Sequence, residues 1–435
     1  MNELVYWIWL SLCCKPDTAT FPSLLKKFNS AKEIFEATDK EISGALDPRS
    51  SDRNLLLQRD LTRAEEILEF CTKRGVGILP YSDESYPELL RKIPTPPVLL
   101  YYRGTLPDFK RRAAIAVVGT RTLTEYGKRN AFSISYNLAQ AGAIIVSGMA
   151  IGIDGVAHAG AIAAEAPTVA VLGSGIDVCY PPVHLTLARN IVKNGCIFSE
   201  YAPGTQPTRY SFPQRNRIIS GLSEATVVIE AGERSGAMIT ATHARKQERL
   251  LYALPGMVGE KNAAGSNLLL MNGAKTLTWA MDLIPDFSDI RKRPCLNPGK
   301  IEPKIPVHME NTLTELKISC VTPTDDIFYP PRPKRSEKGA KAADKENRAK
   351  REAAEKEKPK EAEAVPVLND KEAETAFTKE VFAIYKKIPT VGDCTIESLA
   401  DNEHDLRAVM KSILKLEMAR FVTLLPGERV MRKLK

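Results

Sequence analysis

Cationic and amide side chains surround one apolar run near the middle of the chain. The residues that can donate hydrogen bonds on either side of the run 225–229 are Arg215, Asn216, Arg217, Arg234, Ser235 and Gly236. Guanidinium groups bind anions through charge-assisted hydrogen bonds, and glycine lets backbone N–H groups approach a ligand closely. This grouping predicts an anion site, for which nucleic acid is the first candidate ligand.

More donors follow two other apolar runs. Gly119, Thr120 and Arg121 come after one run, and Ser147 with Gly148 comes after the next. A dinucleotide site would show GxGxxG after the first run and an acidic residue after the second, and neither is present. The sequence therefore predicts no nicotinamide or flavin cofactor. We expect Arg121 to pair with a phosphate through its planar guanidinium.

Two aromatic residues lie just before the first group of donors. Phe212 or Tyr210 could stack on a base, as aromatic side chains do in proteins that bind single strands. Phe212 would fit a hydrophobic core equally well. Arg217 and Asn216 could brace the fold through hydrogen bonds to carbonyl groups, because buried arginines are usually paired. The sequence leaves open which of Arg215 and Arg217 meets a ligand.

These residues must be positioned by an alternation of strands and helices. Apolar runs that predict strands recur at 114–118, 143–146, 168–172, 196–198, 225–229 and 250–254. Helical patterns separate the runs, which indicates βαβ units and an α/β fold. The carboxyl ends of parallel strands share one edge of an extended Rossmann-like, doubly wound sheet. We therefore expect the donor groups to converge at that edge.

The rest of the chain reads as flanking segments. The predicted organisation is an N-terminal helical domain at 1–75, a connector with an edge strand at 76–112, the Rossmann-like domain at 113–285, a disordered charged linker at 286–370 and a winged-helix domain at 371–435. The linker is predicted because Pro, Lys, Glu and Ala dominate it and few apolar residues are available for burial. The winged helix is predicted from helical patterns at 376–388, 395–400 and 406–417 followed by a hairpin.

Composition is compatible with several domains and an anionic partner. The chain has 435 residues, 43% of them hydrophobic, and a formal net charge of +8. Its cysteines form no CxxC pair and no metal-type spacing with the histidines, so we expect free thiols and no metal site. The apolar run 4–14 lacks a basic start and a cleavage site, so we interpret it as the first helix of a soluble protein. No run has the length that a membrane span requires.

The motifs of the central region resemble those of one known family. They are VGTR at 118–121, SGMAIGIDGVAH at 147–158, VLGSGID at 171–177, YP at 180–181, FP at 212–213, RNRII at 215–219 and RSGAMIT at 234–240. Together they resemble the DNA-processing protein A family, known as DprA or Smf, over residues 79–274. The flanking regions are similar to accessory domains of that family, a SAM-like or helix-hairpin-helix-like domain and a winged helix. The long charged linker is the main departure.

This resemblance implies a cytoplasmic protein that binds single-stranded DNA, forms a homodimer through its Rossmann-like domain, protects incoming DNA and loads the RecA recombinase in natural transformation and homologous recombination. It makes Arg121 the principal phosphate contact. The other positions that it assigns to DNA binding are Gly119, Thr120, Ser147, Gly148, Phe212, Arg215, Asn216, Arg217, Arg234, Ser235 and Gly236. It implies no cofactor, no catalytic residue and no membrane contact. The apolar segment 268–271 is a candidate dimer contact, although an internal helix would explain it equally well.

An enzyme acting on nucleotides is the alternative. Asp154 and His158 stand four residues apart on one helical face, and Glu200 and Glu230 lie near strand ends, so acid and base groups are at hand. The pattern is also similar to that of Rossmann-like phosphoribohydrolases. Asp154 could instead cap a helix, and His158 could form a hydrogen bond between loops. Binding without catalysis is favoured because no nucleophile or metal set is evident.

Overall fold

The computed structural model describes residues 2–288, 296–302, 308–318, 379–389, 393–395, 397–399, 409, 412–413, 416, 422–425 and 429–432. The chain forms two compact units, Met1–Ile327 and Phe328–Lys435. Within the described residues, no helix is long and apolar enough to cross a membrane.

A mixed sheet of nine strands is the centre of the first unit. In chain order the strands are β1 Gly77–Pro80, β2 Leu99–Gly104, β3 Ala114–Val118, β4 Ile144–Ser147, β5 Thr168–Leu172, β6 Cys196–Ser199, β7 Ala225–Val228, β8 Leu250–Ala253 and β9 Lys275–Thr276. Their order in space is β1-β2-β6-β5-β4-β3-β7-β8-β9. The neighbouring strands β6-β5-β4-β3-β7-β8-β9 are all parallel. Strand β2 pairs antiparallel with β6, and β1 pairs antiparallel with β2.

The central strands are buried on both faces, as their uninterrupted Val, Ile and Ala runs require in a parallel sheet. All six predicted runs are strands, and the predicted α/β class is confirmed. The connector was expected to hold one edge strand. It holds two, because β1 occupies the edge and β2 lies between β1 and β6.

The helices of the first unit cover both faces of the sheet. They are α1 Glu3–Cys13, α2 Thr20–Leu25, α3 Ala31–Glu36, α4 Asp39–Ala45, α5 Arg53–Gln58, α6 Thr62–Arg74, α7 Glu88–Arg91, α8 Glu125–Gln140, α9 Ile153–Ala163, α10 Leu185–Asn194, α11 Ser211–Gly221, α12 Gly236–Lys246, α13 Ala264–Met271 and α14 Met309–Glu315. Helices α8 to α10 pack on one face together with α1 to α6, and α11 to α13 pack on the other. Helices α1 to α6 therefore share a continuous core with the sheet.

The first and sixth helices follow their sequence signals. The buried side chains of α1 include Trp7, Ile8 and Leu10, so the run at 4–14 lies inside the fold. Helix α6 ends at Gly75, whose φ of 61° is left-handed and whose N–H donates to the Cys71 carbonyl. Glycine adopts this conformation without the steric cost that other residues meet, which is why the helix stops there.

The segment after the sheet packs against it, so the prediction that a disordered linker begins at 286 is wrong at its start. Phe287 is fully buried, and Met309 and Leu313 of α14 join the core beside α9. Lys128 of α8 forms an ion pair with Glu310 at 3.0 Å. The helical spacing of Met309, Leu313 and Leu316 was a signal for this helix that the prediction of a linker missed. The rest of the predicted linker, 319–370, lies outside the described residues.

The second unit has its own apolar core. Helix α15 Lys379–Lys387 and the antiparallel strands β11 Val422–Leu425 and β12 Arg429–Arg432 agree with the predicted helix and hairpin. The expected helix at 395–400 is instead the end of strand β10 Asp393–Thr395, which pairs with β12, followed by a 3-10 turn at Glu397–Leu399. A helix of six residues is marginal, whereas a strand there completes the sheet. Most of the predicted helix at 406–417 lies outside the described residues.

Candidate anion site at the carboxyl edge of the sheet

The strand order reverses at β3, whose neighbours are β4 and β7. Chain connections leave β3 and β7 toward opposite faces of the sheet, and at such a reversal doubly wound folds bind ligands in a crevice between the two following loops. The Thr120 N–H donates to the Glu230 carbonyl at 2.7 Å and the Thr124 N–H donates to the Glu230 carboxylate at 3.0 Å, which ties the loops together. A Cβ on Gly119 would lie 2.9 Å from the Glu230 carbonyl oxygen. Only glycine fits at this approach.

Arg121 is exposed above this crevice. Its guanidinium lies 5.5 Å from the centre of the Phe212 ring. Phe212 is half-buried at the start of α11, and its ring centre is 5.3 Å from that of Tyr180. A cation above an aromatic face is held by the ring quadrupole while its N–H donors stay available. The arrangement places one charged donor fork above one aromatic ring.

Arg215 lies beneath Arg121 and is 4% exposed. Its Nη1 donates to the carbonyl of Gly148 at 2.8 Å and to that of Val171, so this arginine holds the ends of β4 and β5. Burial lowers its pKa to about 10, the nearby Asp154 carboxylate opposes this shift and Arg121 adds to it. The group stays protonated at neutral pH. Arg215 adds positive electrostatic potential behind the carboxyl edge of the sheet. It does not offer a freely exposed hydrogen-bond donor.

The N-terminus of α12 is the third element of the site. Arg234 is exposed, and Gly236 has no heavy atom within 4 Å of where a Cβ would stand. The Asn216 amide donates to the Gly236 carbonyl at 3.2 Å, which fixes α11 against α12. Ser235 precedes the helix, and its buried Oγ has no hydrogen-bond partner in the described part of the chain. Unpaired N–H groups at a helix N-terminus attract anions.

Two predicted site residues have side chains that turn inward. Arg217 is 1% exposed and its Nη2 donates to Glu200 at 2.6 Å, while its Nε lies 3.5 Å from Asp17. Ser147 is fully buried and donates to the Val117 carbonyl at 2.7 Å. Both side chains make hydrogen bonds or ion pairs within the fold. Asn216, 9% exposed, also acts mainly as a brace.

The acid and base groups of the enzyme alternative are engaged in the fold. Asp154 accepts from the N–H groups of Gly148 at 3.1 Å and Ala150 at 3.4 Å. His158 is fully buried with Nδ1 2.7 Å from the Thr168 hydroxyl, and burial lowers its pKa to about 3. The Asp154 carboxylate and the His158 imidazole are therefore both held by contacts within the fold.

The two glutamates of that alternative are also engaged. Glu200 pairs with Arg217, and Glu230 accepts from Thr124. The geometry therefore favours a binding site.

One cation at this edge escaped the sequence reasoning. Arg209 is exposed, with its guanidinium 4.6 Å from the centre of the Tyr210 ring, and Tyr210 is 62% exposed. This pair repeats the arrangement of Arg121 above Phe212. The available signal was a basic residue directly before an aromatic one in the loop that leads into α11.

Comparison with known proteins identifies relatives of this chain. Residues 77–288 match the family model described as DNA recombination-mediator protein A. The chain is 33% identical over 280 residues to the DNA processing protein DprA of Bacillus subtilis, covering 63% of this chain and 94% of that protein. It is 35% identical over 314 residues to Protein Smf of Synechocystis sp., covering 70% of this chain and 77% of that protein.

A solved structure is also similar. The X-ray structure of DNA processing protein A (DprA) from Streptococcus pneumoniae aligns with a TM-score of 0.57 and 29% identity, over 66% of this chain and 98% of that chain. The region matched by the family model begins at β1 and contains every residue of the candidate site.

Proposed function

The chain belongs to the DNA recombination-mediator protein A family, DprA or Smf, and on that premise we propose that it binds single-stranded DNA at the carboxyl edge of its sheet. Relatives named DNA processing proteins support a role in DNA processing. The observation that carries the proposal is the exposed Arg121 guanidinium above the Phe212 ring and in front of the buried Arg215. Two positive charges and an aromatic face suit a backbone phosphate with an adjacent base.

A single strand fits this edge better than a duplex. The aromatic faces of Phe212 and Tyr210 can stack only on bases that are unstacked from their neighbours. Arg121, Arg209 and Arg234 are the exposed cations that would bind the phosphates. None of these contacts reads the hydrogen-bonding edges of the bases, so binding should tolerate any DNA sequence. Because the arginines bind phosphates, affinity should fall as the salt concentration rises.

The wider role that we propose follows the family. In it, the chain protects incoming single-stranded DNA and loads the RecA recombinase during natural transformation and homologous recombination, as a cytoplasmic homodimer. The dimer contact uses the exposed side of α13. The helices at 1–75 act as an accessory domain of the SAM or helix-hairpin-helix kind. The second unit, with α15 and the β10-β12-β11 sheet, acts as a winged helix joined through the charged segment.

Arg121→Ala tests the DNA site. Loss of one phosphate contact should weaken binding to single strands of every sequence and reduce the slope of log affinity against log salt by about 0.7 to 0.9. The measurement is a fluorescence-anisotropy titration of labelled oligonucleotides at several salt concentrations.

The matched control is Arg111→Ala. Arg111 is 88% exposed and lies just before β3, at the opposite edge of the sheet. Its removal changes net charge equally and should leave the slope unchanged. If both variants lower affinity and slope by the same amount, general charge explains binding and the proposed site is wrong.

A further inference from the structure

A pair of adjacent apolar side chains projects into solvent near the candidate site. Met257 is 76% exposed and Val258 is 97% exposed. Both lie in the segment 254–263 between β8 and α13, which we call the rim loop. Isolated exposed apolar residues are ordinary on protein surfaces. Two neighbours that are almost fully exposed need a further explanation if the loop that carries them is fixed.

The rim loop is held at both ends by hydrogen bonds. Asn267 forms two bonds with Gly256, accepting from its N–H at 3.1 Å and donating to its carbonyl at 3.0 Å. Tyr126 donates to the Pro255 carbonyl at 2.9 Å, and Asn262 donates to the Thr122 carbonyl at 2.6 Å. The loop therefore presents its tip from a fixed base. The exposed pair is a feature of the surface rather than of a fraying segment.

These bonds place the rim loop beside the DNA-binding loops. Thr122 is the neighbour of Arg121 in sequence. The Gly265 N–H, just after the rim loop, donates to the Ala231 carbonyl at 2.7 Å, in the loop that carries Arg234. The loop follows β8, so it lies at the same edge of the sheet as the other two.

The rim loop lies on one side of Arg121 and Arg234, and the aromatic pair Phe212 and Tyr180 lies on the other. Phe212 contacts the end of β5 at Gly173, and the sheet order β5-β4-β3-β7-β8 separates β5 from β8 by four strand spacings. At ~4.8 Å per spacing the separation is ~19 Å. At ~3.4 Å per stacked nucleotide, that distance spans about five or six nucleotides, and fewer in an extended strand. One single strand can therefore reach both sides.

We propose that Met257 and Val258 form an apolar contact for the bases of the single strand whose phosphates bind Arg121 and Arg234. This inference rests on the proposed function and extends it to a second base-contacting surface. Neither side chain can bind a phosphate, but each can pack on an unstacked base, as the apolar side chains of several DNA-binding proteins do. The flanking cations favour a polyanionic ligand over a purely apolar one.

The test compares a normal strand with one that lacks bases. The double variant Met257→Ser/Val258→Ser should bind oligothymidylate about five- to tenfold more weakly than the wild type, because apolar burial is lost. Its affinity for an abasic oligonucleotide of the same length should equal that of the wild type. The salt slope should be unchanged for both ligands, since no phosphate contact is removed.

The control is Leu55→Ser on α5, a residue that is 40% exposed and far along the chain from the edge loops. It should leave both affinities unchanged. Equal losses for the normal and abasic strands, or no loss, would overturn the inference. A lower mass of the double variant by light scattering that accounts for its weaker binding would also overturn the inference. Met257 and Val258 would then contact a second copy of the chain instead of DNA bases. Failure of the wild type to bind either strand would refute the proposed function itself.

Discussion

Buried charges beneath the carboxyl edge form two clusters with different roles. Arg215 faces the Asp154 carboxylate and two strand-end carbonyls, whereas Arg217 lies between Glu200 and Asp17. Removing one member of a buried pair leaves the other charge without a partner, which typically costs 3–5 kcal/mol. Both clusters therefore fix the positions of α11 and the edge loops. Only the first lies close enough to Arg121 to alter the potential of the site.

His158 makes the folding stability depend on pH. Its pKa falls from 6.5 to about 3 on folding because the ring is buried. Below pH 6.5 the unfolded chain binds a proton that the folded chain does not bind until about pH 3. Stability is therefore lost as pH falls through this window, by about 1.4 kcal/mol per pH unit. Between pH 7 and pH 5 the wild type should lose ~2 kcal/mol more than His158→Asn does, measured by urea unfolding.

If His158→Asn keeps the pH dependence of the wild type, the burial of an uncharged imidazole does not account for the acid sensitivity.

Residue types predicted the chemistry of the site better than its geometry. Arg121 is exposed where the sequence placed it. Arg215 and Arg217 are two positions apart on α11, and both proved to be buried, which composition cannot reveal. Their partners come from distant segments, Asp17 before α2 and Glu200 after β6, so only the assembled fold shows which cation braces the interior.

At the scale of elements, the N-terminus of α12 is a proposed part of the DNA site that one pair of variants can test. Gly236 is its first residue, with room for a side chain. Gly236→Asp should stabilise the protein by about 0.5–1.5 kcal/mol, because glycine leaves the helix and a carboxylate meets the positive end of the dipole. The same carboxylate should repel phosphate and lower single-strand affinity about fivefold or more. Urea unfolding and anisotropy titrations measure the two effects.

Gly236→Ala separates these effects. It should also raise the free energy of unfolding, by about 0.5–1 kcal/mol, while leaving affinity within about twofold. An unchanged affinity in the aspartate variant would mean that DNA does not approach this helix.

Elements with strong periodic signals were predictable, and short ones were not. Continuous apolar runs such as 114–118 identified all the central parallel strands, because burial on both faces demands them. Helix α14 and strand β10 escaped prediction. Each is short and gains its stability from packing or pairing with distant segments, so a weak local signal was not enough to identify it.

At the scale of the molecule, α13 has the amphipathic character of an interface helix. Leu269 is 5% exposed and joins the core, while Leu268 is 39% and Met271 84% exposed on the same helix. The interpretation as an internal helix therefore describes one side of α13, and the dimer contact stays a prediction for the exposed side. The exposed side is available to a second copy of the chain, and a symmetric dimer would bring the same patch of both subunits together.

The double variant Leu268→Glu/Met271→Glu tests the proposed homodimer. Two carboxylates in each copy would be buried opposite their counterparts, and like charges with no partner oppose association. The mass from light scattering should fall from twice the monomer value to the monomer value, with far-ultraviolet circular dichroism unchanged because both side chains already face solvent. Leu55→Glu, at a similarly exposed leucine of α5, should leave the mass unchanged. A variant that keeps the wild-type mass would show that α13 is not the contact.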